Sequence, residues 1–225
     1  MKTKLLLLSL LLFLSCTSKK NSETFIEKAE GRYFFNADEV IEVYFKNSEL
    51  FLKWRNSDLK PLKLNDSSFY ARELNEKLIF NLAESKISLA EKREHKKEKI
   101  VFTKIKKGEK TPSEYLNENN FEMALKGFLA IKNKDSLNPL IQRRTINRKG
   151  YDFLRNNEID KAITTFKINV ELYPNHSNPY DSLGDAFAKK QDTVEALKQY
   201  KKALSINPEN RSSKRNIKRL TKKDE

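Results

Sequence analysis

From residue 24 to about residue 107, apolar side chains alternate with polar ones. Ile41, Val43 and Phe45 interleave with Glu42, Tyr44 and Lys46, and Leu50, Leu52 and Trp54 interleave with Phe51, Lys53 and Arg55. A period of two puts one set on each face of a half-buried strand. The same reading predicts strands at 32–35, 59–64, 68–72, 77–82, 86–91 and 100–104. The breaks carry turn chemistry without glycine: Asn47-Ser48, Asn56-Ser57-Asp58, Asn65-Asp66-Ser67 and Asn75-Glu76. Asn and Asp tolerate the left-handed backbone that tight turns need. Eight or so short strands joined this way predict an antiparallel β-meander, curled into a small barrel or half-barrel.

After residue 108 the period lengthens to that of a helix. Thr111-Pro112-Ser113-Glu114 is a capping box with proline at the first helical position, which starts a helix. Phe121, Ala124, Leu125, Phe128 and Ile131 then recur at helical spacing. From Arg143 to Asn210 the chain repeats itself at an interval of 34 residues. Gly150 maps onto Gly184, Phe153 onto Phe187, Ala162 onto Ala196, Phe166 onto Tyr200 and Pro174 onto Pro208. The small residues let two helices approach, the aromatics fill the space beside them, and each proline ends a second helix. A helical glycine costs about 1 kcal/mol against alanine, so two at matching phase point to a packing need. Ala124 and Phe128 echo Ala162 and Phe166 from 38 residues upstream, which predicts a degenerate first copy.

This period and residue pattern resembles the helix–turn–helix unit of tetratricopeptide repeats. The predicted fold class is α+β, an antiparallel β-domain followed by an α-helical tetratricopeptide-repeat solenoid. In order, the expected segments are a signal peptide at 1–15, a lipidated tether at 16–23 and the β-domain at 24–107. A degenerate helical bridge at 108–142, two repeats at 143–210 and a basic capping helix with its tail at 211–225 complete the chain. The capping helix turns Ile217 and Leu220 to one side. The β-stretch also resembles the small domain that follows the catalytic domain in some bacterial serine hydrolases and peptidases. Gly31-Arg32-Tyr33, Leu59-Lys60-Pro61-Leu62 and Ser68-Phe69-Tyr70 carry that likeness. It implies an accessory role beside a separate hydrolase, since no catalytic domain is included.

The amino terminus assigns the single cysteine. Lys2 and Lys4 precede the apolar run Leu5 to Leu14, and Ser15-Cys16 follows at once. Ten residues suit a signal-peptide core and are too few to span a bilayer, which takes about 20. Phe13-Leu14-Ser15-Cys16 resembles a bacterial lipoprotein box, although Phe13 stands where that family prefers leucine. The resemblance implies a lipid on Cys16 and an anchor in the cell envelope, at the outer membrane on its periplasmic side. A conventional signal peptide is the competing reading, opposed by the bulk of Phe13.

Composition narrows the chemistry. A formal net charge of +14 invites a nucleic-acid reading, but no nucleic-acid motif is present and the export signal argues against one. Residues 84–110 hold ten basic and five acidic side chains, and residues 211–225 hold seven and two. This surplus reads as a solvated lysine-rich surface, with attraction to anionic lipid head groups as a secondary role. One cysteine excludes a disulfide framework or a cysteine metal cluster, and His95 and His176 lie far apart. No cofactor or metal is expected. Ser57-Asp58-Leu59-Lys60 has the spacing of penicillin-recognising hydrolases, but Ser57 falls in a turn and the companion motifs are out of order.

The chain therefore reads as a non-catalytic, membrane-anchored adaptor whose partner is another protein or peptide. On the first helix of each repeat, Asn147, Tyr151 and Arg155, then Asp181, Asp185 and Lys189, share the side away from the packing residues. These six are the candidate partner groove. They do not resemble the basic clamp by which some such repeats grip a terminal carboxylate. The alternative is a small apolar ligand or lipid in the barrel mouth, lined by Phe34, Phe45, Trp54, Phe69 and Phe80.

Overall fold

A computed structural model describes residues 19–93 and 100–222. Cys16 and His95, singled out above, lie outside them. By contact the chain divides into two units, one of residues up to 33 and 41–104, the other of residues 34–40 and 105–225.

The first unit is the sheet with a short helix in front of it. Helix α1 (Glu23–Ala29) starts at Ser22, whose hydroxyl accepts from the Phe25 amide. Nine strands follow: β1 (Gly31–Phe34), β2 (Val40–Lys46), β3 (Glu49–Trp54), β4 (Ser57–Leu59), β5 (Leu62–Lys63), β6 (Ser68–Ala71), β7 (Glu76–Asn81), β8 (Lys86–Leu89) and β9 (Val101–Lys104). Their order across the sheet is β4-β3-β2-β1-β9-β8-β7-β6-β5. The two halves of the meander are thus joined by β1 beside β9, leaving β4 and β5 as its edges. The predicted single strand at 59–64 is two, broken at Lys60-Pro61, because Pro61 has no amide to give to a ladder. Asn47 and Ser48, and Arg55 and Asn56, all take positive φ, as two-residue hairpin turns require. Arg55-Asn56, and not the predicted Asn56-Ser57-Asp58, therefore makes the second turn.

Alternation decides what the sheet buries. Val43 and Leu52 face each other in the β2–β3 register and are fully buried, while Tyr44 pairs with Phe51 on the other face. The predicted tether and β-domain boundary runs through α1, which the alternation did not reveal. Its Phe25 is the centre of an aromatic cluster, with ring centroids 6.1 Å from Phe45, 5.6 Å from Phe69 and 5.4 Å from Phe80. Tyr33 joins at 6.3 Å from Phe80 and donates its hydroxyl to the Ala29 carbonyl.

The second unit is helical: α2 (Pro112–Asn117), α3 (Phe121–Lys134), a 3-10 turn (Pro139–Ile141), α4 (Arg143–Arg155), α5 (Ile159–Leu172), α6 (Ser177–Lys189), α7 (Thr193–Ile206) and α8 (Arg211–Thr221). The capping box is formed: Thr111 accepts from the Glu114 amide, and Glu114 accepts from the Thr111 amide. Helices α3, α5 and α7 are each 14 residues long and open after the same turn. Asn119, Asn157 and Gln191 hold positive φ there. The next amide, at Asn120, Glu158 and Asp192, donates back to Tyr115, Phe153 and Phe187. Three hairpins therefore share one design, and α2, at six residues, makes the first a shortened copy.

The repeated glycines have a visible cause. A Cβ on Gly150 would lie 2.6 Å from Cζ of Phe166, and one on Gly184 would lie 2.6 Å from Cε1 of Tyr200. The aromatic of each second helix rests on the backbone of the first.

Candidate partner groove

The interval of 34 residues stacks α4 against α6, so the six candidate residues fall into pairs: Asn147 with Asp181, Tyr151 with Asp185, and Arg155 with Lys189. The middle pair touches. The Tyr151 hydroxyl donates to Oδ2 of Asp185 at 2.7 Å. Oδ1 of the same carboxylate accepts from the Tyr200 hydroxyl at 2.7 Å and from Nδ2 of Asn216 at 3.0 Å. Burial, then the Asp185 charge, push the Tyr151 phenol far above its ordinary range, and burial with the Asp185 hydrogen bond does the same to Tyr200. Both stay protonated as donors.

Asp181 corrects the sequence reading. It is only 7% exposed and accepts from the Ser213 hydroxyl at 2.5 Å, so it anchors α8 and faces no partner. The capping helix lies over this side of α6 and takes the carboxylate out of solvent. Burial raises the Asp181 carboxyl above the usual carboxylate range, the nearby Asp185 adds to this, and the Ser213 bond only partly offsets it. Asn147 is half-buried and lines no part of the groove.

What remains open is a groove of about 650 Å3 between α4, α6 and α8. Tyr151, Leu154, Ala188 and Leu220 make its floor, and Arg155, Lys189 and Arg219 stand around it. Asp185 lines it too, but three donors already occupy its oxygens. Arg155 leans on Asp152; among the described residues, no carboxylate lies within ion-pair distance of Lys189 or Arg219. The groove is therefore apolar at its base and cationic at its rim. Sequence reasoning missed Leu154, Ala188, Arg219 and Leu220 as lining. The last two needed α8 placed: its inner face carries Ser213 and Asn216 beside Ile217 and Leu220, and the apolar pair alone does not say which helix it meets. A second depression, between α3, α5, α6 and α7, sets Lys167 and Lys198 among Glu171 and Glu195, and Lys198 pairs with Glu195 at 2.9 Å. Its charges compensate one another.

Two other candidate sites resolve differently. The predicted barrel-mouth lining is a packed core: Phe69 and Phe80 are buried, with centroids 5.5 Å apart. Phe25 from α1 occupies the space a ligand would need. Trp54 lies under the Arg55 guanidinium, 4.5 Å from its ring centroid, and Phe34 is half-buried outside the cluster. Within the helical unit, Lys149 donates to Asp38 at 2.8 Å and to the Ser113 hydroxyl at 2.9 Å, and Ser113 donates to Asp38. Burial works against ionising Asp38, but the bonds from Lys149 and Ser113 outweigh it and hold the carboxyl below the usual range. A lysine held by a carboxylate beside a cavity of about 30 Å3 is a structural tie, not a nucleophile's base. Among the described residues no cluster of His, Cys, Asp and Glu could hold a metal ion, and no helix is long and apolar enough to cross a membrane.

No protein-family model matches the sequence. Over 65 residues the chain is 32% identical to the tetratricopeptide repeat domain-containing protein PYG7, chloroplastic, of Arabidopsis thaliana, covering 29% of this chain and 22% of that protein. Over 114 residues it is 25% identical to a DnaJ homolog subfamily C member 7 homolog of Dictyostelium discoideum, covering 51% of this chain and 21% of that protein. The chain thus spans about a fifth of the length of each curated relative. Among solved structures, the second tetratricopeptide domain of human RPAP3, in complex with an HSP70 peptide, aligns with 49% of this chain and 88% of that one. The identity is 14% and the TM-score 0.35. None of these relatives is a serine hydrolase, and they indicate no catalytic family. With hairpins in register at 34 residues and a relative that is itself a tetratricopeptide repeat protein, the helical unit has a fold of tetratricopeptide type.

Proposed function

We propose that this protein is a non-catalytic bacterial adaptor, anchored in the cell envelope through lipid on Cys16, whose repeats form a short solenoid that captures a segment of another protein. One observation carries the reading: an apolar-floored groove between α4, α6 and α8 whose rim cations Lys189 and Arg219 have no described carboxylate to pair with. Charges left unpaired around an apolar floor complement a segment that alternates acidic and apolar side chains. The Tyr151–Asp185 bond keeps the two repeats at a fixed spacing, so the groove is preformed and little ordering is needed on binding.

An unbiased peptide-display selection on the full chain tests this. It is expected to return acidic, partly apolar peptides, and changing Lys189→Glu together with Arg219→Glu is expected to weaken them about tenfold or more, at ~1 kcal/mol for each exposed charge contact. Neutral or basic winners, or winners indifferent to the double change, would rule the groove out. For the anchor, incorporation of labelled fatty acid is expected in the wild-type chain and not after Cys16→Ser. Label retained in the serine variant would remove the anchor from the account.

A further inference from the structure

Helix α8 stands apart from the other α-helices in one respect: from Arg211 to Thr221 it carries no acidic side chain. Every one of α1 to α7 has at least one. Stepping about 100° per residue sorts α8 into two faces. Ser213, Asn216, Ile217 and Leu220 fall together and are the residues that pack. Opposite them, Lys214, Lys218, Arg211, Lys222 and Arg215 fall within an arc of about 100°, and all five are exposed. Arg219 lies at the edge of that arc and belongs to the groove.

Such a face opposes its own folding. Arg211 with Arg215, Lys214 with Lys218, and Lys218 with Lys222 are like charges four apart, a destabilising spacing. Of the five, Lys214 alone forms a described ion pair, with Glu209 at 3.4 Å, exposed and of little weight; Arg215 feels the Asp181 charge at longer range. The helix stays in place because its inner face is held by Asp181 and Asp185, not because its outer face is content.

We infer that this outer face of α8 lies against anionic phospholipid head groups. The chemistry selects that occupant. The face is a convex row about 16 Å long, with no aromatic side chain on which a nucleobase could stack and no pocket to enclose a phosphate. Its apolar side, Ile217 and Leu220, is turned toward the protein, so contact is by charge alone, without insertion. Each lysine or arginine near an anionic surface adds attraction that fades within a Debye length. The inference deepens the membrane placement proposed above and rests on it for orientation, because an anchored chain meets the surface continuously.

The test is lysine-acetylation footprinting of the full chain with phosphatidylcholine vesicles, and with vesicles that also contain phosphatidylglycerol. Modification of Lys214, Lys218 and Lys222 should slow several-fold on the anionic vesicles only, recover at high salt, and leave the exposed Lys126 on α3 unchanged. Lys214→Gln with Lys218→Gln should cut the phosphatidylglycerol-dependent association by at least about tenfold. Relief of two like-charge contacts keeps its far-UV spectrum unchanged. Equal footprints on both vesicle types, or undiminished association of the variant, would overturn the inference. So would protection by heparin in solution without protection on vesicles, which would assign the face to another polyanion. A chain that fails to stay with neutral vesicles but is protected on anionic ones would remove the anchor and keep this face.

Discussion

Replacing Gly184 by alanine sets two local effects against each other. In an isolated helix the change is worth about 1 kcal/mol of added stability. Here the new Cβ would meet Tyr200 at 2.6 Å from Cε1, 2.7 Å from Cδ1 and 3.0 Å from Cζ. Tyr200 is fully buried and cannot swing aside freely, because its hydroxyl is bonded to Asp185 at 2.7 Å. Forcing extra volume into such a site costs about 1–3 kcal/mol, and loosening a bond to a carboxylate adds about 1.5–3 kcal/mol. Set against the helix gain, the net expectation is a loss of about 1.5–5 kcal/mol. Urea unfolding followed by far-UV circular dichroism reads it; Trp54 fluorescence does not, because that residue belongs to the sheet. In a Tyr200→Leu background the clash is gone, so the same glycine change should turn neutral or stabilising. A gain of the full helix value in the wild-type background would refute the claim that these glycines are set by the aromatic of the partner helix.

Three further outcomes follow from named contacts. Phe25→Ala should cost the sheet unit about 3–5 kcal/mol, read by Trp54 fluorescence in urea, because the ring fills the cluster of Phe45, Phe69 and Phe80. Asp181→Asn should hold or raise stability at neutral pH. With its folded pKa raised, Asp181 makes stability fall as pH rises from its ordinary value through the raised one, and melting curves of the variant should lose that slope. Lys149→Met should cost about 0.5–1 kcal/mol, the size of a half-exposed pair. The depressed Asp38 carboxyl contributes stability above its ordinary pKa that is lost as pH falls through the folded one; without Lys149 burial outweighs the Ser113 bond, so the variant should lack this acid-side loss, visible in acid titration by circular dichroism.

Much of the fold was legible because it is repetitive. Gly150 and Phe166, and Gly184 and Tyr200, are each 16 apart in sequence and in contact, so packing wrote the same constraint twice. The strand pattern was equally readable where one face is buried, as in β2 and β3. What failed was local and short. Helix α1 is seven residues long, with only Phe25 and Ala29 on its inner side, too little periodicity to stand out. The split of the strand at Pro61 is hidden in a hydrophobicity pattern, because Leu59, Leu62 and Leu64 surround the proline.

The site was half legible. Tyr151 and Asp185 fall beside each other because a 34-residue offset stacks equivalent positions, but they are not turned away from the packing: the Tyr151 ring centroid lies 5.1 Å from that of Phe166. Asp181 was misread, since Asp181 and Asp185 four apart look like a hydrated face until α8 covers them. The capping helix and its Ile217–Leu220 side were legible, but its docking onto Asp181 and Asp185 through Ser213 and Asn216 was not, and so Arg219 and Leu220 were missed as lining. The Asp38–Ser113–Lys149 tie joins residues 75 and 36 apart in sequence, and nothing local announces it.

The central claim, that a partner segment lies between α4, α6 and α8, is tested most directly by mapping backbone amide shifts of the full chain as a selected acidic peptide is added at low salt. The account predicts that the largest shifts fall at Leu154, Ala188, Lys189 and Leu220 and shrink together in the Lys189→Glu, Arg219→Glu chain. Shifts gathered instead on β2 and β3, or on the depression around Lys167 and Glu195, would contradict it.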